Sequence, residues 1–172
     1  MTGFITWLEH ISTRTTKARA ELRRSLAFPP GTYIPAYPYV EPFLRSDPSP
    51  WERNALYLTA GLWAMHWRPG QQPGRLSFAK ACATHQTLSG SASTEHRFLT
   101  VLDADADQLP HRLQQMIAIL KPYPLDFVLL LHGLQHWNAE DRVTQQTWAH
   151  EFYQQLRTQP LTTTPSTKET TA

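Results

Sequence analysis

The most regular hydrophobic pattern in the chain is in the segment that follows Pro50. Its apolar residues, Leu58 and Leu62 among them, recur at intervals of three and four, the spacing that places side chains on one face of an α-helix. The residues before this pattern fit a helix start, with Ser49 as N-cap, Pro50 at the first helical position and Glu52 placed to close a capping box. The pattern predicts a long helix with a buried face.

Three later segments carry other helix signals. Asp107 precedes an amphipathic stretch and predicts the start of a helix there. Leu125–Trp137 is apolar nearly all round, which predicts a central, fully buried helix. Asn138, with Asp141 three residues later, predicts the cap of the last long helix. Shorter helices are predicted at Phe4–Ile11, Lys17–Leu26, Leu76–Thr84 and Thr94–Leu102.

No segment alternates apolar and polar residues long enough to predict a strand, and no internal repeat is visible. We therefore expect an all-α fold, a compact bundle of about eight or nine helices in a single domain. The polar, small-residue segment Gln86–Ser93 (QTLSGSAS) predicts a mobile surface loop.

Two segments do not fit a long helix. Half of the 14 prolines lie in residues 28–50, and each ring removes a hydrogen-bond donor and clashes with the preceding helical turn. This connector also carries Tyr33, Tyr37, Tyr39 and Phe43, so we expect it to pack on the domain. Residues 158–172 are rich in threonine and poor in apolar side chains, which predicts a disordered tail. The expected helical domain is thus residues 1–157.

Composition narrows the class of protein. With 172 residues, 41% of them hydrophobic and 17% charged, the chain can bury a core by itself. Cys82 is the only cysteine, so an intramolecular disulfide and a cysteine-based zinc site are excluded. The longest apolar run, Phe127–Leu131, is far shorter than a membrane span, and the first residues lack a secretory-signal pattern. We expect a cytoplasmic protein that does not engage a membrane.

Positive charge is concentrated in the first part of the chain. Residues 1–100 carry 11 Lys and Arg against 6 Asp and Glu, whereas residues 101–172 carry 5 against 8. In the predicted helix Lys17–Leu26, Lys17, Arg19, Arg23 and Arg24 recur with only Glu21 between them. Such a helix could lie along a phosphate backbone, because arginine binds phosphate through a planar fork. A solvated helix face is the equally simple interpretation.

Candidate catalytic chemistry is sparse. His132 and His136 have the i, i+4 spacing that lets two imidazoles share a metal ion, but no glutamate lies between them to act as a base. We keep a metal-dependent helical enzyme as an alternative and favour capping and solvent-facing roles for these histidines. The chain has no nucleophile elbow and no glycine-rich phosphate loop, so we expect no catalytic residue, no bound metal and no cofactor.

Six segments follow one another between about Lys17 and Tyr153: ARAELRRSL, SPWERNALYLTAGLWAMH, RLSFAKACA, STEHRFLTVLDADADQLPHRL, PLDFVLLLHGLQHW and QQTWAHEF. In this order the chain resembles the small subunit of the type I-E CRISPR Cascade complex, the CasB family. No segment is specific alone, and the order and spacing carry the resemblance.

The resemblance implies an all-helical, non-enzymatic protein within an RNA-guided surveillance complex. Its implied partners are the backbone and large subunits, a second copy of itself, the guide RNA, the target DNA and the displaced DNA strand. Binding a nucleic-acid backbone rather than its bases requires basic side chains on a rigid surface and no deep pocket. A stand-alone helical adaptor that binds only proteins remains an alternative, because the net charge is only +2.

The basic helix and the resemblance together predict eight nucleic-acid-binding residues. They are Arg19, Arg23, Arg24, Arg53, Lys80, Arg97, Arg112 and Arg142. The chain departs from the family at Gln114–Gln115 and Gln145–Gln146, where members often have arginines, and at Asp103, a position that is sometimes basic. We therefore expect the N-terminal arginines to carry most of the contact.

Overall fold

Nine α-helices make up most of the chain in the computed structural model, which describes residues 2–158. They are α1 (Thr2–Arg14), α2 (Thr16–Ser25), α3 (Tyr37–Val40), α4 (Pro50–His66), α5 (Phe78–Ser89), α6 (Ser93–Leu102), α7 (Leu109–Ile119), α8 (Phe127–Gln135) and α9 (Val143–Thr158). Across residues 2–158, strand-like pairing is limited to one bridge between Leu76 and Leu125. The predicted all-α class, with about eight or nine helices, is confirmed.

Helix α4 forms the middle of the fold, since 11 of its 17 residues are buried. Helices α2, α7 and α8 pack around it, while α5 and α9 pack side by side and α6 contacts both. The predicted apolar stripe faces inward, with Leu62 fully buried and Leu58 nearly so. None of the helices described in residues 2–158 is long and apolar enough to cross a membrane.

The predicted start of α4 is confirmed at its first turn. Pro50 is the first helical residue, and Ser49 Oγ accepts a hydrogen bond from the Glu52 backbone N–H at 3.1 Å. The expected reciprocal half of the capping box is not formed. The Glu52 carboxylate instead accepts two hydrogen bonds from Arg45, at 2.7 and 3.0 Å. A guanidinium supplies two donors to one carboxylate, so it outcompetes a single backbone N–H.

The predicted cap of α7 was wrong, and the predicted start of the last helix was wrong by several residues. Asp105, not Asp107, accepts the hydrogen bond from Gln108 N, at 2.8 Å, and α7 begins at Leu109. The last helix begins at Val143 rather than after Asn138, and Asp141 Oδ1 accepts from Val143 N at 3.2 Å. In both places several capping residue types stand close together in the sequence. Spacing alone does not show which of these side chains lies within hydrogen-bond reach of the first backbone N–H groups of the helix.

Two further expectations need correction. Helix α8 is shorter than Leu125–Trp137, and it is not fully buried, because Leu129 is 50% exposed. The first four residues of the expected loop Gln86–Ser93 belong to α5. The helix continues to Ser89 and ends where Gly90 takes a left-handed conformation and donates its N–H to Gln86 O. Polar residues can form a final helical turn because their backbone N–H groups still bond within the helix and a left-handed glycine caps its end.

Residues 28–50 contain α3 and two short 3₁₀ turns, Ile34–Ala36 and Glu41–Phe43. Ala36 and Val40 are buried in the core, and Tyr33, Tyr37 and Tyr39 pack against it. The Thr-rich segment 158–172 was expected to be disordered, and beyond Thr158 it lies outside the described residues.

Arg53 of α4 bonds the connector, residues 28–50, to the core. Its guanidinium donates to Gly31 O at 2.8 Å and to Glu41 Oε1 at 2.6 Å, and it lies over the ring of Tyr37. The Tyr57 hydroxyl donates to the same Glu41 oxygen at 2.6 Å. Gly31 has a φ of +79°, and a Cβ there would collide with the Arg53 guanidinium. Glycine is therefore required at this turn.

Replacing Leu62 with alanine tests the placement of the α4 stripe. The variant should lower the free energy of unfolding by about 2–5 kcal/mol, because the truncated side chain leaves a cavity in a packed core. Chemical denaturation measures this change. Leu88→Ala is the control, since Leu88 is 71% exposed on α5, and its effect should stay within about 0.5 kcal/mol. Equal effects of the two substitutions would refute the placement.

The Glu41 network predicts a pH dependence of stability. The Tyr57 hydroxyl, and after it Arg53, hold the pKa of Glu41 below its ordinary value of 4.5. A carboxyl with a lowered folded-state pKa stabilises the fold above that ordinary value, and the contribution is lost as pH falls through the lowered pKa. Glu41→Gln should therefore be less stable than the unsubstituted chain at pH 7, and the difference should shrink in acid.

Denaturation curves over a pH series give the measurement. Glu140→Gln serves as the matched control, because Glu140 is exposed and has no hydrogen-bond partner among residues 2–158. Its stability difference from the unsubstituted chain should not change with pH. A Glu41→Gln difference that is constant from neutral to acid pH would contradict the network.

Candidate nucleic-acid interface

The basic side chains of helix α2 are presented to solvent because the opposite side of the helix is buried. Thr15 Oγ1 accepts from Lys17 N at 3.2 Å and starts the helix. Ala18 and Leu22, four residues apart, are fully buried, and α2 packs on α4 through this side. A Cβ at Gly61 of α4 would lie 2.6 Å from Leu26 Cδ2, so the absence of a side chain there lets the two helices approach closely.

Three of the four predicted cations on α2 meet at one groove. Arg19, Arg23 and Arg24 line an open concavity of about 550 Å³, together with Gln114 of α7. Lys17 is exposed and does not belong to the lining. Gln114 is also one of the positions at which the resemblance implies an arginine in other members, so this expected departure lies at the edge of the groove.

The three groove arginines differ in how they are held. Arg19 lies over the indole of Trp67, with 5.3 Å between Cζ and the ring centroid. Arg24 Nη1 is 3.4 Å from Glu21 Oε2, but its side chain is 63% exposed, so this ion pair is weak. Among residues 2–158, no carboxylate lies within 4.0 Å of Arg23. The groove therefore offers largely uncompensated positive charge to an anion.

Three of the other predicted residues make internal contacts. Arg53 bonds Glu41 and Gly31, as described above. Arg112 Nη1 donates to Thr100 O, and Arg142 Nη2 donates to Leu102 O at 2.7 Å. Both carbonyls lie in the last turn of α6, where backbone oxygens lack partners within the helix and the helix dipole favours cations. These three arginines thus have structural contacts that sequence spacing did not indicate.

Lys80 and Arg97 are exposed on neighbouring helices. Lys80 is in the first turn of α5, where its backbone N–H donates to Ser77 Oγ at 3.3 Å, and Arg97 is on α6. Neither residue lines the α2 groove. The structure therefore brings together Arg19, Arg23 and Arg24 and leaves Lys80 and Arg97 apart from them.

His132 and His136 pack against each other on the surface of α8. Their ring centroids are 4.7 Å apart, and His136 Nδ1 donates to His132 O at 2.8 Å. The carboxylates of Asp126 and Asp141 accept hydrogen bonds from the backbone at the starts of α8 and α9. Across the described part of the chain, no group of three or more His, Cys, Asp or Glu side chains could hold a metal ion.

Two other reactive residue types are parts of the core. Cys82 is fully buried, and burial raises the pKa of its thiol. His66 is also fully buried, and burial lowers its pKa. Its Nε2 donates to Leu120 O at 3.2 Å, and its Nδ1 accepts from Gln71 at 3.3 Å. Nε2 thus joins the end of α4 to the end of α7, and Nδ1 joins α4 to the segment that follows it.

The sequence analysis did not single out Phe28, an exposed aromatic residue near the arginine groove. Phe28, three residues after the end of α2, is 46% exposed, and its ring stacks on Tyr33. The only sequence signal is an aromatic residue between a basic helix and a double proline, which is also found in ordinary packed loops. Its exposure became visible only with the fold.

The family model of CRISPR-associated protein Cse2 matches residues 18–153 of this chain. A CRISPR-associated protein Cse2 from Thermus thermophilus is 45% identical over 154 residues, which is 87% of this chain and 88% of that protein. The crystal structure of CasB from Thermus thermophilus is 41% identical with a TM-score of 0.77, covering 89% of this chain and 97% of that one.

A chain of a CRISPR RNA-guided surveillance complex is 20% identical with a TM-score of 0.80, and the likeness covers 91% of this chain and 93% of that one. At this identity the likeness concerns the fold. The family match and the 45% identical relative, in contrast, are similarities of sequence, and each covers most of the chain. They confirm the resemblance that the six segments indicated, and the chain belongs to the CRISPR-associated Cse2 family.

Proposed function

We propose that this chain is a non-catalytic subunit of an RNA-guided CRISPR surveillance complex in the cytoplasm, where it binds the backbone of a nucleic acid. Its partners are then the backbone and large subunits, a second copy of the chain, the guide RNA, the target DNA and the displaced strand. Membership of the Cse2 family supports this proposal, and so does the likeness of the fold to a chain of a surveillance complex.

The observation that carries the proposal is the convergence of Arg19, Arg23 and Arg24 on one open groove. Arginines on a rigid helix hold phosphates at a fixed spacing without reading the bases. In an RNA-guided complex, base pairing supplies sequence recognition, so a supporting subunit needs only such a positive surface.

Binding to single strands is expected to depend on the groove. The double substitution Arg23→Ala and Arg24→Ala should weaken binding of single-stranded DNA. It should also lower the slope of log K against log salt concentration by about 0.7 for each phosphate that the chain no longer neutralises, because fewer counterions are released. Fluorescence anisotropy titrations of the full chain at several salt concentrations provide both quantities.

The control for this test removes the same charge elsewhere. Arg75 and Arg157 are exposed and lie outside the groove lining, so their joint replacement by alanine should leave the salt slope nearly unchanged. The proposal fails if the two double variants lose the same affinity, or if the groove variant keeps both its affinity and its slope.

A further inference from the structure

A second cavity opens beside the arginine groove. It encloses about 200 Å³ and shares Leu26, Ala27 and Gln114 with the groove lining. Phe28 of the connector and His111 of α7 line the rest of it together with neighbouring residues. The two concavities are therefore adjacent parts of one surface, with positive charge on one side and an aromatic side chain on the other.

Phe28 is held in place although it is 46% exposed. Its backbone N–H donates to Ser25 O at 3.1 Å. Its ring stacks on Tyr33, with 4.8 Å between ring centroids and 20° between the planes. The Tyr33 hydroxyl in turn donates to Glu21 Oε2 at 2.7 Å. Tyr33 does not line the cavity, so it supports the phenyl ring from outside and leaves aromatic surface accessible.

Polar atoms face the same cavity without internal partners. Among residues 2–158, the side chains of Asp107 and Gln114, which both line it, form no hydrogen bond with another residue. The Gln115 amide pairs with His111 Nε2 at 2.9 Å, which leaves Nδ1 of that ring as a donor. The cavity thus combines an aromatic face with hydrogen-bond donors and acceptors, the two features that a planar heterocycle requires.

We propose that this cavity holds one unpaired nucleobase of a single strand whose phosphates lie in the arginine groove. At about 200 Å³ it is smaller than a typical ligand pocket, which suits one base rather than a larger molecule. The three arginines of the adjoining groove attract a polyanion by charge complementarity, which favours a nucleic-acid strand over a peptide as the ligand of this surface. The inference rests on the proposed function, because the arginines are what bring the strand to the cavity.

Substituting Phe28 separates base binding from backbone binding. Two single strands of equal length are titrated into the full chain, one of ordinary DNA and one in which every sugar lacks its base. Phe28→Ala should weaken binding of ordinary DNA by about 5- to 150-fold and leave binding of the abasic strand within about twofold, since stacking on one aromatic side chain accounts for such a factor. Phe28→Trp keeps an aromatic face and should retain binding.

Ile34→Ala is the matched control, because Ile34 lies on the same connector, is 71% exposed and does not line the cavity. It should bind both strands as the unsubstituted chain does. Thermal unfolding of each variant verifies that the fold is intact.

The outcomes distinguish this inference from the proposed function. If Phe28→Ala weakens neither strand, or both strands equally, the base cavity is overturned, while a loss of binding in the Arg23 and Arg24 double variant still supports the groove. If Phe28→Ala binds both strands normally but loses a partner protein, the occupant is a protein side chain and the inference is wrong. If the unsubstituted chain binds neither strand, the proposed function itself is contradicted.

Discussion

The close packing of α2 on α4 determines which surface this protein presents. Gly61 removes the side chain that would otherwise meet Leu26, and the fully buried Ala18 and Leu22 fix the rotation of α2. With that side buried, the remaining positions of the helix must face outward, and Arg19 and Arg23 are among them. The positive groove is thus a consequence of the core, because the same helical period that buries one face exposes the other.

Arginine has two different uses in this chain. Arg53, Arg112 and Arg142 donate to backbone carbonyls or to Glu41 and join segments that are distant in sequence. A planar guanidinium suits this role because it keeps its charge and supplies several donors in a fixed arrangement. The groove arginines lack such strong internal partners, and an approaching polyanion can therefore bind them without breaking the fold. The number of arginines in the sequence therefore does not show how many of them are available to bind a nucleic acid.

Local signals predicted much of the fold, and distant contacts explain what they missed. The cap at Ser49 and the stripe through Leu62 identified α4, because both depend on residues within a few turns of each other. The basic spacing on α2 likewise predicted that Arg19, Arg23 and Arg24 recur along one helix, although it did not indicate the groove that they line. The internal contacts of Arg142 could not be predicted, because Leu102 is 40 residues away and Arg142 adopts a positive φ of 51°. Exposure of Phe28 also depends on the whole fold.

The most direct measurement is the native mass of the chain purified gently from the cells that express it, together with sequencing of any RNA that accompanies it. A surveillance-complex subunit should migrate as a particle far larger than the 19.7 kDa of one chain and should carry short guide RNAs. A species near the mass of one chain, free of RNA and of other subunits while the remaining CRISPR proteins are expressed, would contradict the proposed role.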